Sequence, residues 1–163
     1  MNEKWKNEGA DGERNAVRIS RDYDFPRKSV FDMFTDSKEA AKFWGPEGAV
    51  KLVFEFDARP GGAIRIHDRN SEGNVTKTSG TVTELVAPEL LVFQSSTVFR
   101  EGAAPFVALQ TLKFEELGPK RTRVTVLVKI LALGSFPADV ESLEAGFVGG
   151  WGETLDMLQR ELH

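Results

Sequence analysis

The C-terminal end of the chain carries one apolar stripe at helical spacing, and this stripe constrains the fold more than any other feature. Its members recur every three or four residues, and they are Val140, Leu143, Phe147, Trp151, Leu155, Leu158 and Leu162. This spacing predicts a helix of roughly twenty-five residues with a single buried face. A lone long helix of this kind must bury that face against a larger partner.

Four glycines interrupt the predicted helix, at positions 146, 149, 150 and 152. Each costs about 1 kcal/mol relative to alanine in a helix interior, so four together require a structural reason. Either the helix breaks near Gly146, or its small residues allow a very close approach to a sheet. We favour a single helix that bends near the glycines.

Six strand-like runs precede the helix, between residues 50 and 131, and turn residues separate them. In the first run, Val50, Leu52, Phe54 and Phe56 alternate and are expected on one face. A turn at residues 59–62 follows it, with proline preset for its second position. The connections are short, which favours an antiparallel meander over parallel crossovers.

The N-terminal part predicts one further strand and two short helices. Residues 1–15 are polar and charged and are expected to form a flexible tail. A strand begins at Ala16, Pro26 is placed in the first turn of a helix, and Ser37 is the expected N-cap of a second helix. The sequence therefore predicts one α+β domain over residues 16–163, in the order β-α-α-β6-α, with a curved antiparallel sheet wrapped around the long C-terminal helix.

Composition excludes several classes of protein. The formal charge of −4 gives no electrostatic reason to expect a nucleic-acid partner. The absence of cysteine excludes disulfides, thiolate catalysis and cysteine-based zinc sites, and it fits a cytoplasmic location. The N-terminus lacks the apolar region of a signal peptide, and no apolar run is long enough to span a bilayer.

Four segments in register carry a resemblance to a known family: residues 30–48 with a Trp-Gly-Pro end, 57–66 with a Pro-Gly-Gly turn, 79–93 with a Pro turn between strands, and 149–162 with a Gly-Trp helix. The chain resembles the SRPBCC or START-like (Bet v 1-like) superfamily, and within it the Activator of Hsp90 ATPase homologue 1-like (AHSA1) family. The resemblance implies the helix-grip fold. It also shows one departure, because the histidine that the family carries shortly before Gly-Trp has no equivalent around Phe147.

Twelve phenylalanines against one tyrosine favour a plain core or an apolar cavity over a wet interface. The side chains expected to line such a cavity are Phe31, Phe34, Trp44, Phe54, Phe56, Ile64, Ile66, Phe93, Phe147, Trp151 and Leu155. The plain-core interpretation accounts for most of them. Trp44 and Trp151 are the strongest lining candidates, because their indole N–H groups need partners that a ligand or a water could supply.

No catalytic constellation and no metal-ligand spacing occurs in the sequence. The polar groups with a realistic chance of facing the cavity are Arg65, His67, Glu84 and Gln94. Four charged residues cluster around the Pro-Gly-Gly hairpin: Asp57, Arg59, Arg65 and Asp68. Cross-strand ion pairing at a sheet edge is the favoured interpretation of this cluster, and substrate binding is the alternative.

These observations favour a non-catalytic protein that binds a small apolar or amphipathic molecule, without a cofactor. Two alternatives stay open. The superfamily resemblance implies enzymes of the polyketide cyclase or aromatase kind, and the family name implies an interaction protein that stimulates a chaperone ATPase. A homodimer is also left open.

Overall fold

A single antiparallel sheet of seven strands curves around the C-terminal helix in the computed structural model, which describes residues 5–9 and 16–163. The elements, in chain order, are β1 (Ala16–Tyr23), α1 (Arg27–Thr35), α2 (Ser37–Phe43), β2 (Val50–Phe56), β3 (Ala63–Arg69), β4 (Val75–Val86), β5 (Leu90–Val98), β6 (Phe106–Gly118), β7 (Arg121–Ala132) and α3 (Val140–Glu161). The predicted α+β helix-grip architecture is therefore confirmed.

The strand order across the sheet is β1-β7-β6-β5-β4-β3-β2. Strands β2 to β7 follow one another as a meander, and β1 closes the far side by pairing with β7, with Val17 opposite Val128. Strands β1 and β2 are consequently the two edges of the sheet. The two short helices connect these edges, which brings α2 and the connection from α2 to β2 close to α3.

The face predicted for β2 is wrong at its first two members. Leu52 is an extra residue in a β-bulge, since Lys51 pairs with Asp68 and Val53 pairs with His67. The bulge breaks the alternation, so that Val50 and Leu52 are 51% and 44% exposed while Phe56 is buried. A bulge reverses which side chains face the core, and it places Lys51 beside Asp68.

The N-cap of α2 also differs from the prediction by one residue. Ser37 is the first helical residue, and Asp36 is the cap. The Asp36 carboxylate accepts hydrogen bonds from the backbone N–H groups of Lys38 and Glu39, at 2.9 and 3.2 Å. A carboxylate there satisfies donors that have no partner within the helix.

Helix α3 runs unbroken through its four glycines. Asp139 caps its N-terminus by accepting a hydrogen bond from Ser142 N–H at 2.9 Å. Its buried face includes Leu143, Trp151, Leu155 and Leu158, as the stripe predicts. The Tyr23 hydroxyl on β1 donates to the Leu155 carbonyl at 2.7 Å and ties the helix to the sheet.

Residues 5–9 lie along the outer edge of β1. Asn7 Oδ1 accepts from Arg18 N–H at 3.0 Å, and the Glu8 N–H donates to the Arg18 carbonyl at 2.7 Å. The Glu8 carboxylate also accepts from Ser20 N–H at 3.2 Å. These contacts occupy backbone groups that an edge strand otherwise exposes for pairing with another chain.

Trp5 explains one of the helix glycines. A Cβ built on Gly152 would lie 2.2 Å from Trp5 Cδ1, so the indole packs directly on the glycine backbone. The Trp5 Nε1–H group donates to Asp156 Oδ2 at 3.3 Å, and Arg21 forms an ion pair with the same carboxylate. The close approach at Gly152 is thus to Trp5 and not to the sheet.

The flexible tail predicted for residues 1–15 falls partly on residues 1–4 and 10–15, which lie outside the described residues. For them it stays a prediction. None of the helices within residues 5–9 and 16–163 combines the length and the apolar character that crossing a membrane requires.

We expect Gly149→Ala to raise the free energy of unfolding by about 1 kcal/mol, because a Cβ there meets nothing within 4 Å and alanine favours the helix. Gly152→Ala should lack this gain, because its Cβ would collide with Trp5. Urea denaturation measures both. In a Trp5→Ala background the two substitutions should become equivalent, and equal effects with Trp5 present would contradict its packing on Gly152.

Candidate functional site

A cavity of about 420 Å³ lies between α3, the connection from α2 to β2, and the concave face of the sheet. Aromatic side chains form much of its wall: Trp44, Phe93, Phe106, Phe147 and Trp151. Its size falls within the range of roughly 300–1,000 Å³ that is typical of small-molecule sites. The side chains of the sheet and of α3 therefore do not fill the space between them.

The register of the strands places one row of cross-strand partners along the sheet side of the cavity. Ile66, Thr78, Thr97 and Phe106 are consecutive cross-strand partners on β3, β4, β5 and β6. All four line the cavity. The Thr78 and Thr97 hydroxyls hydrogen bond to each other at 3.0 Å, which leaves this row polar at its centre and apolar at both ends.

Two glycines leave space in the wall that α3 gives to the cavity. Gly146 and Gly150 line the cavity one helical turn apart, and a Cβ built on either would meet nothing within 4 Å. Residues four apart on a helix share a face, so the two glycines remove side chains from the same strip of wall. Space for an occupant thus accounts for these two glycines, and not a break in the helix.

A buried chain of hydrogen bonds fixes the inner end of the cavity. Trp151 Nε1–H donates to Gln110 Oε1 at 2.7 Å, and Gln110 Nε2–H donates to Ser95 Oγ at 2.8 Å. All three side chains are buried. The partner that the Trp151 indole requires is therefore a protein side chain, which leaves the ring face free to form the wall.

Trp44 joins the cavity to the aromatic core. Its ring centroid lies 4.8 Å from that of Phe56, 5.3 Å from that of Trp151 and 5.8 Å from that of Phe93. Tilted and edge-on aromatic contacts at these separations are favourable beyond the area they bury. This packing keeps Trp44 in one position at the side of the cavity.

Asp68 is the titratable group of the lining. It follows Ile64 and Ile66 on the inward face of β3, and its Oδ1 atom is buried without a hydrogen-bond partner among the described residues. Burial raises the pKa of Asp68 above its ordinary value, against the opposing charges of Lys51 and His67. The ionised carboxylate is therefore held at some cost to the folded state.

Six of the eleven predicted apolar lining residues reach the cavity surface: Trp44, Ile64, Ile66, Phe93, Phe147 and Trp151. The other five do not line it. Phe31, Phe34, Phe56 and Leu155 are buried in the core, and Phe54 is half-buried with its ring 6.2 Å from that of Trp44.

The four polar candidates lie elsewhere. All three of Arg65, Glu84 and Gln94 are exposed, and Arg65 contacts Glu55 at 3.6 Å. Arg65 and Gln94 alternate with buried neighbours, whereas Glu84 follows a register shift in β4. His67 is half-buried on the face of β3 opposite to Ile66 and Asp68. The hairpin cluster does form the expected surface pair between Asp57 and Arg59, at 2.7 Å.

Sequence reasoning missed Gln110, Thr78 and Thr97 as cavity groups, and it assigned Asp68 to a surface cluster. The alternation of Ile64, Ile66 and Asp68 on one strand carried the signal for Asp68. Within the described residues, no group of three or more histidine, aspartate or glutamate side chains has the arrangement of a metal site.

Comparison with known proteins identifies a family that the chain matches. The family model described as Activator of Hsp90 ATPase homolog 1-like protein matches residues 24–163. A search of curated proteins gives no match.

Solved structures share the fold at low identity. A protein from Chromobacterium violaceum is 24% identical with a TM-score of 0.72, covering 91% of this chain and 96% of its own. The AHSA1 protein from Silicibacter pomeroyi is 21% identical with a TM-score of 0.76, covering 90% of this chain and 96% of its own. A protein from Mycobacterium smegmatis is 19% identical with a TM-score of 0.75, covering 91% of each chain. Identities this low show the fold alone.

We expect Gln110→Leu to lower the free energy of unfolding by about 1–3 kcal/mol, because it leaves the buried Trp151 N–H without an acceptor and Ser95 Oγ without a donor. Gln94→Leu is the matched control on the neighbouring strand, where the side chain is exposed, and it should change stability by less than about 0.5 kcal/mol. Urea denaturation distinguishes the two. Equal effects would contradict the buried role of Gln110.

We expect Asp68→Asn to stabilise the protein at neutral pH and to lose this advantage in acid. A raised pKa in the folded state means that the folded protein binds the proton more tightly than the unfolded chain. The carboxyl therefore destabilises the fold increasingly as the pH rises from its ordinary pKa through the raised one. Denaturation across a pH series measures this, with the exposed Asp57→Asn as control. An advantage that grows as the pH falls would contradict it.

Proposed function

The chain belongs to the Activator of Hsp90 ATPase homolog 1-like family, and we propose that it is a binding protein that takes a small apolar or amphipathic molecule into the cavity under α3. The observation that carries the proposal is the open wall at Gly146 and Gly150. Leucine or alanine at these positions would favour the helix and fill the space, yet the chain has glycine at both. An apolar occupant would also remove the apolar walls of the cavity from water, which is favourable.

The other two functions have weaker support. A cyclase-like enzyme needs a group that moves protons, and among the described residues lining the cavity only Asp68 is titratable. Stimulation of a chaperone ATPase rests on the family description, and no feature of the described surface favours it. We also propose a cytoplasmic location, on the absence of cysteine.

A thermal-shift and native mass-spectrometry screen of lipids and aromatic metabolites tests the proposal, with ethylnaphthalene as an apolar reference probe. An occupant present at about 100 times its Kd should stabilise the fold by about 2.7 kcal/mol. We expect Gly150→Leu to abolish binding of ethylnaphthalene, because the leucine side chain would occupy the cavity.

Gly149→Leu is the matched control for this experiment. It places the same side chain on α3, one residue away, at a position that does not line the cavity and where a Cβ meets nothing within 4 Å. Binding should survive in this variant. Loss of binding in both variants, or in neither, would argue against the cavity as the site, and the absence of any ligand in the screen would contradict the proposed function.

A further inference from the structure

The two ends of the cavity differ in their chemistry. Its inner end is closed by Trp44, Phe93 and Trp151, whereas its outer end, where β3 runs out, is lined by Asp68 and by its cross-strand partner Thr76. Among the described lining residues, Asp68 bears the one ionisable side chain. An occupant therefore contacts aromatic rings at one end of the cavity and a carboxylate at the other.

Three elements meet at this carboxylate: β3, the start of β2 and the turn after α2. The alternation of β3 turns Asp68 inward, and the bulge at Leu52 places Lys51 opposite it. A Cβ built on Gly45, in the turn after α2, would lie 3.5 Å from Asp68 Oδ2 and 3.9 Å from Lys51 Nζ. Gly45 has φ +111°, a backbone conformation that L side chains rarely adopt, so the turn keeps this approach open.

Neither Lys51 nor His67 forms an ion pair with the Asp68 carboxylate. Among the described residues, no ion pair within 4.0 Å joins Asp68 to Lys51 or to His67, and Asp68 Oδ1 accepts no hydrogen bond. His67 points to the other face of the strand. A buried acceptor oxygen without a donor costs stability.

We propose that Asp68 binds the polar end of the ligand, and that the ligand is an amphipathic molecule whose apolar body ends in a hydrogen-bond donor, a primary amine being the best fit. This inference rests on the proposed function and specifies its ligand class. An ammonium group would form a charge-assisted hydrogen bond with Asp68 while its apolar body lies against the aromatic walls.

The same geometry disfavours a ligand with a carboxylate head, such as a fatty acid. Lys51, the nearest cation, does not line the cavity, so an anionic head would meet Asp68 first. Burial raises the pKa of Asp68 despite the opposing charges of Lys51 and His67, and a bound cation would oppose this effect of burial.

Four probes with one apolar body test the inference by calorimetry and thermal shift at neutral pH: naphthylethylamine, naphthylethanol, naphthylacetate and ethylnaphthalene. We expect the amine to bind at least about tenfold more tightly than the acetate, the difference expected of one charge-assisted hydrogen bond. In Asp68→Asn, the affinity for the amine should fall by about tenfold, and the affinity for ethylnaphthalene should stay unchanged.

Two further variants complete the design. Asp57→Asn removes an exposed carboxylate at the β2–β3 turn and should leave the amine-to-acetate ratio of the unsubstituted protein unchanged. Lys51→Met removes a positive charge near Asp68, which would repel the amine and attract the acetate, so it should raise this ratio. A lower ratio in Lys51→Met would overturn the role of Asp68.

The outcomes separate the two proposals. If ethylnaphthalene binds but the amine has no preference over the acetate, or if the preference survives in Asp68→Asn, the inference is overturned and the proposed function stands. If none of the four probes binds, the proposed function and the inference are both overturned.

Discussion

The hydrogen bond from Trp151 on α3 to Gln110 on β6 sets the distance between the long helix and the sheet. A buried indole N–H must find an acceptor, and Gln110 is itself held by Ser95, so the helix can dock at only one depth. Tyr23 adds a second tie from β1 to the carbonyl of Leu155. The large ring of Trp151 holds the helix away from the sheet at this point, and the cavity lies along α3 from Gly146 to Thr154.

The cavity follows from what α3 lacks before that anchor. The turns before Trp151 present Gly146 and Gly150, so a helix held at a distance by an indole has nothing to fill the space beside it. Gly152, one residue after the anchor, serves a different contact, because Trp5 packs on it. Glycines with the same local cost thus have two separate causes, one inside the cavity and one on the outer side of the helix.

Asp68 shows the tension between stability and function. A carboxylate whose pKa is raised by burial weakens the fold at neutral pH, and an asparagine of nearly the same shape would avoid this cost. Proteins retain such groups chiefly where binding or chemistry uses them. Within a lining otherwise made of apolar and neutral polar side chains, this residue gives the cavity a direction.

The order of elements, the antiparallel meander and the long helix were predictable from the sequence, because periodicity and turn chemistry are local properties of contiguous residues. The family was predictable from the resemblance of four segments to its motifs. The apolar members of the cavity were half predictable, since an inward-facing ring reads the same whether it fills a core or lines a space. The polar members were not. Gln110 and Asp68 acquire their roles from partners on distant segments, and the bulge at Leu52 reverses a face that simple alternation predicts. The sequence by itself determined which elements form and which face of α3 is buried. Only the tertiary structure decided which small residues leave space and which carboxylate faces it, because both depend on contacts between residues far apart in the chain.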